Sequence, residues 1–223
     1  MRVLSDYVEP DDQLIEKHVA LPEARPDGRA LVRLNMISSA DGGTAIDGTS
    51  GGLGNRNDHA VFAALRARAD AVLVGLGTVL PEHYQPPTEP GLEIYVVADQ
   101  PDIAGDLELF TSGRAILVMP PDAAPAPGGV RELRLGSGSL VDLPALVAHL
   151  AGKVVLMEGG PSLAGQMVAL ELVDEFFHTI SPMVISGESA RLAHGPPGNA
   201  RLWPLIHGCC DEAGYLFLRY ARG

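Results

Sequence analysis

Short apolar runs bounded by glycine, proline and acidic residues recur along this chain, with helical spacing between several of them. Residues 154–157 (VVLM), 70–75 (DAVLVG), 94–98 (IYVVA) and 115–119 (AILVM) suit strands covered on both faces. Residues 31–37 (LVRLNMI) alternate in part and suit a first strand, and 130–135 predicts another. Leu163, Met167 and Leu170 recur at i, i+4 and i+7, after Pro161 at a first helical position. Leu143, Leu146, Val147 and Leu150 predict a second helix capped by Asp142, and Val61, Phe62 and Leu65 a third capped by Asn57. Residues 106–113 fit no single element. Strands return at 175–180, 204–209 and 215–220 with no helix between them, while Trp203 and Tyr215 suit packing. Alternating strand and helix with an all-strand tail implies an α/β fold. Its central sheet is expected to be mainly parallel, with helices on both faces and an antiparallel C-terminal edge. The length of 223 residues suits a single domain, taken as 29–223, preceded by an acid- and proline-rich surface extension at 1–28.

Punctuation between these elements carries the first chemistry. Glu158, Gly159, Gly160 and Pro161 follow one buried strand, and Gly75 to Thr78 follow another, with Thr78 a candidate cap of a short helix. Backbone N–H groups at a helix start favour an anion, and glycine lets a phosphate approach closely. Glycine turns also join strands to helices where nothing binds. Two of them in one sheet, with a carboxylate at a strand's carboxyl end, favour a phosphate-containing ligand at that edge. Residues 38–58 (SSADGGTAIDGTSGGLGNRND) form a long loop between a core strand and a helix, a place where function is more usual than linkage. Arg66 and Arg68 end that helix; they suit either its dipole or a ligand. No GxGxxG follows the first strand, which weighs against the usual dinucleotide fingerprint.

Charge and composition narrow the partners. A formal net charge of −12 without a basic cluster argues against nucleic acid. No apolar run approaches the roughly 18 residues of a membrane span, and residues 1–18 carry acids and lack an apolar h-region, so no signal peptide is expected. The two cysteines, Cys209 and Cys210, are adjacent and suit a reducing cytoplasm. The seven histidines lie outside the usual zinc spacings, so no metal is expected.

Three segments taken together resemble the RibD C-terminal reductase family of riboflavin biosynthesis, which has a dihydrofolate-reductase-like fold. They are ISSADGGTAIDGTSG at 37–51, LRARADAVLVGLGTV at 65–79, and EGGPSL with LVDEF and ISP between 158 and 182. The resemblance implies a stand-alone, cytoplasmic, homodimeric reductase using NADPH. Its cofactor positions map to Ile37, Thr44, Gly52, Gly75, Thr78, Glu82, Gly159, Gly160, Pro161, Ser162, Leu163 and Gln166. Its substrate positions map to Ser50, Arg66 and Glu158, with Arg66 serving a substrate phosphate. The implied reaction reduces a ribosylamino-pyrimidine phosphate to its ribitylamino form. Asp41 and Glu158 are candidate catalytic groups, although Asp before Gly also suits a plain turn. The chain departs from the family at Pro81–Pro86 (PEHYQP), where members carry DDPxL, and at Gly52 and Leu53, where many carry an aromatic. A pterin substrate on a dihydrofolate-reductase-like enzyme and a non-catalytic NADPH-binding protein are the competing expectations.

Overall fold

A computed structural model describes residues 12–24, 26–104, 107–195 and 200–223. The chain begins with α1 (Asp12–Val19), β1 (Leu31–Ser38), α2 (Arg56–Arg66), β2 (Ala71–Gly75), α3 (Leu76–Val79) and β3 (Glu93–Val97). It continues through α4 (Glu108–Thr111), β4 (Ala115–Met119), β5 (Arg131–Arg134), β6 (Gly136–Ser137), β7 (Leu140–Val141) and α5 (Leu143–His149). It ends with β8 (Val154–Met157), α6 (Pro161–Ala169), β9 (Glu175–Ile180), β10 (Leu205–Cys210) and β11 (Leu216–Ala221). Nine strands form one sheet in the order β10-β11-β9-β1-β8-β2-β3-β4-β5. Every pairing from β9 to β5 is parallel, while β11 and β10 add an antiparallel edge. The α/β architecture read from the sequence is therefore the one observed.

Alternation along each strand divides the core. Leu73, Val155 and Met157 face α5 and α6, packing with Leu146, Leu163 and Met167. Val72, Val74, Ile94 and Leu117 face the other way, toward α3 and α4. Leu156 and Phe177 meet α1 and α2 on that same side. β8 is inserted between β1 and β2, so the carboxyl ends of three strands from distant parts of the chain lie side by side. Ligands of open parallel sheets bind at such an edge.

Several local expectations need correction. Asn55, not Asn57, caps α2: its side chain accepts from the Asp58 N–H, because Arg56 already has helical geometry. Asn57 instead donates to Asp211 at 3.0 Å, and Asn55 donates to the same carboxylate oxygen at 2.7 Å. Thr78 lies within α3, whose N-cap is Gly75. Leu170 falls at the end of α6 and is exposed. Asp142 does cap α5, and Pro161 does open α6.

Residues 12–19, placed in a surface extension by the sequence analysis, form a helix that buries Ile15 and Val19 against Val61, Leu65 and Phe217. The signal was Arg33. This arginine on central β1 is 1% exposed and donates to Glu175 at 2.7 Å and to the carbonyls of Val19 and Ala20 at 2.8 and 3.0 Å. Arg219 shares Glu175 and donates to the His18 carbonyl at 3.0 Å. Two guanidinium groups thus satisfy the carbonyls that a helix end leaves free. Residues 1–11 lie outside the described residues.

Beside this network, His18, His207 and Cys209 bring their donor atoms within 4.8 Å of one another. His18 Nδ1 and His207 Nδ1 are 2.9 Å apart and share a hydrogen bond. Burial, then His207, Arg219 and Arg33, push the His18 imidazole down to about 3.

Candidate active site

A cleft of about 660 Å³ opens at the carboxyl ends of β1, β8 and β2. Its base is formed by residues 35–37 and 158–161. One wall is the face of α2 that presents Asp58, Phe62 and Arg66, spaced four residues apart. The opposite wall is Thr78 with residues 81–86, and the glycine-rich loop after β1 borders the mouth. The long loop is thus part of the site.

The glycine turn is shaped by close packing. Gly159 has φ +96°, a backbone conformation that side chains disfavour, and a Cβ there would lie 3.0 Å from Met36 Sδ. The Gly159–Gly160 peptide is cis. At Gly160 a Cβ would come within 2.5 Å of Thr78 Oγ1, so the two turns touch where the sequence placed a shared ligand edge. Gly160 is the N-cap of α6 and has no side chain to satisfy the first-turn N–H groups. Those donors belong to Ser162 and Leu163, since Pro161 has none, and they follow directly on the lining residues.

Next to this turn, Arg66 and Glu158 form a two-pronged ion pair. Nε donates to Oε1 and Nη2 to Oε2, both at 2.7 Å. The Glu158 side chain is 2% exposed and that of Arg66 17%. Burial works against the arginine's charge, but the hydrogen bonds and charge of Glu158 outweigh it and keep the guanidinium protonated. The guanidinium lies 4.7 Å from the Phe62 ring centre and 5.8 Å from that of Tyr84. Arg66 therefore does not serve the dipole of α2; it reaches across to β8.

The expected site residues divide into three groups. Ile37, Thr44, Ser50, Thr78 and Glu82, with Arg66 and the run from Glu158 to Pro161, line the cleft. Within this set Glu82 accepts from the Ser50 N–H at 2.6 Å, tying its wall to the glycine-rich loop at the mouth. The Thr44 hydroxyl donates to the Ala190 carbonyl at 3.0 Å and holds that segment against the mouth. Gly52, Gly75, Ser162, Leu163 and Gln166 do not line it. Leu163 is core, while Gly75 supports the turn by donating to the Gly159 carbonyl at 3.0 Å.

Asp41 also stands outside the lining residues. Its carboxylate accepts from the Ser39 hydroxyl at 2.6 Å and from the N–H groups of Ile185 and Ser186 at 3.2 and 2.8 Å. These bonds, led by Ser39, hold the carboxyl down to about 2. Asp41 is a loop tie and not a group facing the cleft. Glu158 does face it, but as an acceptor of three hydrogen bonds rather than as a proton donor.

The lining residues outside the expected set include four with chemistry to offer: Asp58, His59, Phe62 and Tyr84. With Asn55 recognised as the cap, the spacing of Asp58, Phe62 and Arg66 shows one face. Phe62, read from the sequence as part of the helix's apolar face with Val61 and Leu65, turns to the cleft while those two are buried. Burial pushes the Asp58 carboxyl up, against smaller opposing effects of the Thr179 hydroxyl and His59.

Comparison with known proteins bears on this geometry. A 2,5-diamino-6-ribosylamino-4(3H)-pyrimidinone 5′-phosphate reductase from Methanothermobacter thermautotrophicus is 29% identical over 187 residues, covering 73% of this chain and 82% of that protein. A pyrimidine reductase-like protein from Corynebacterium diphtheriae superposes with a TM-score of 0.79 at 22% identity, over 93% of this chain and 98% of that one. Dihydrofolate reductase from Enterococcus faecalis, solved with NADP(H), reaches 0.56 at 15% identity, over 86% and 96%. The two structures share the fold. The profile of the RibD C-terminal domain matches residues 30–210, which span every wall of the cleft, and the chain belongs to that family.

Proposed function

We propose that this protein is an NADPH-dependent reductase of a ribosylamino-pyrimidine 5′-phosphate. The observation that carries the proposal is one cleft offering both an open helix start and a braced arginine. Family membership and the reductase from Methanothermobacter thermautotrophicus support the substrate class. The cofactor fits: no side chain fills the turn at Gly160, and the uncapped N–H groups of α6 are suited to a pyrophosphate. Thr78, Gly159, Gly160 and the backbone N–H groups of Ser162 and Leu163 would hold it, and NADPH would supply the hydride.

The substrate accepts that hydride at the anomeric carbon of its open-chain imine. The C=N π electrons move to nitrogen, which takes a proton to give the amine. Asp58 is the cleft carboxyl that burial pushes up, and we assign it as the source of that proton. Arg66, held by Glu158, would meet the phosphate and fix the sugar in the cleft. We place the enzyme in the cytoplasm, in keeping with its two unpaired cysteines, and as a homodimer.

Loss of NADPH absorbance decides the matter. Oxidation is expected with the phosphorylated ribosylamino-pyrimidine and not with dihydrofolate. Turnover of dihydrofolate alone would move the protein to pterin reduction. NADPH binding without turnover of either would make it a non-catalytic binder.

A further inference from the structure

The loop that departs from its family's pattern, residues 81–86, lays Tyr84 against the Arg66–Glu158 pair. The Tyr84 N–H is tied to the Val79 carbonyl at 3.1 Å, which fixes the loop to α3. Its hydroxyl donates to Glu158 Oε2 at 2.8 Å, the oxygen that also receives Arg66 Nη2. Burial, then the charge of Glu158, keep this hydroxyl protonated well above the ordinary phenol range, so it remains a donor. A carboxylate and a guanidinium joined by two parallel bonds lie close to one plane. Whatever fixes the carboxylate plane therefore fixes the direction of the guanidinium. Nε and Nη2 are engaged by Glu158, and Nη1 has no hydrogen-bond partner among the described residues. That nitrogen is left to the cleft.

We propose that Tyr84 is a positioning residue for anion recognition, orienting Arg66 through Glu158 so that Nη1 meets the substrate phosphate. The inference rests on the function proposed above. It adds a residue from outside the family's expected site, in the segment where this chain differs. A tyrosine that only satisfied a buried carboxylate would affect stability and leave phosphate discrimination alone.

Tyr84→Phe removes the hydroxyl and keeps the ring. KM for the phosphorylated ribosylamino-pyrimidine is expected to rise about three- to tenfold, the scale of one hydrogen bond. KM for the dephosphorylated compound should not change. In an Arg66→Lys background the same substitution should have no further effect on discrimination, since the two act as one unit. Equal changes on both substrates, or a change confined to Tm, would overturn the inference and leave the reductase assignment intact. If the wild type turns over neither compound, calorimetric titration with ribose 5-phosphate supplies the readout. Binding weakened by Tyr84→Phe would sustain the inference while the substrate assignment falls; absent or unchanged binding would overturn it.

Discussion

At the scale of single residues, the Arg66–Glu158 pair changes what a substitution can be expected to do. From the sequence alone, Arg66 offered two roles, phosphate ligand or dipole partner, and both left Glu158 independent. In the structure, Arg66→Met leaves a carboxylate with 2% side-chain exposure without its cation, which costs about 3–5 kcal/mol. A large fall in Tm should accompany a rise in KM of about ten- to a hundredfold. The double variant Arg66→Met/Glu158→Gln separates the effects, recovering much of the Tm but none of the KM. If KM recovers with Tm, Arg66 is only structural. Gly160 was legible as a glycine that matters, but its neighbour was not. Gly160→Ala drives a methyl group into Thr78 Oγ1, so NADPH affinity, read by fluorescence titration, should fall while the fold is kept. Unchanged affinity would remove the turn from the cofactor site. Residue types flagged both groups, whereas the contact between distant segments came from the sheet order.

At the scale of elements, strands and the larger helices were legible because their apolar periods are strong, although the cap of α2 lies at Asn55 and not Asn57. Helix α1 was not, since it has only a short buried stripe and owes its place to arginines from β1 and β11. Nothing local to residues 12–19 announces those partners. Its docking has a pH signature. Burial lowers His18 from 6.5 to about 3, and lowers His178, bonded at 2.8 Å to Ser38, to about 4. Folded values below the unfolded one mean that the unfolded chain binds more protons between about pH 4 and 6.5. Stability should be full above pH 6.5 and decline as pH falls, by up to about 1.4 kcal/mol per unit for each histidine. Thermal melts from pH 7 to 4.5 measure this slope. His18→Phe should flatten it by one histidine's share, and an unchanged slope would mean that His18 is not neutral and buried.

At the scale of the whole molecule, the two edges of the sheet are unlike. β5 (RELR) places charges on three of its four positions, a usual guard against pairing with another chain. β10 (LIHGCC) carries no formal charge, and Leu205 and Ile206 are 54% and 49% exposed beside Leu202 at 94%. Among the described residues, the N–H and C=O groups on its outer side have no neighbouring strand. An apolar, unguarded edge of this kind is where two copies are expected to join. Against that stands a net charge of −12 on each copy, which repels the partner and is screened by salt. The dimer should therefore tighten from low to physiological ionic strength, with a light-scattering mass of twice the 23.4 kDa chain. Ile206→Lys places a charge on the edge without touching the cleft. It should yield a monomer whose NADPH affinity is that of the wild type. A wild type that stays monomeric at physiological salt would leave the edge open and remove the homodimer from the proposal. A variant that stays dimeric would move the interface away from β10.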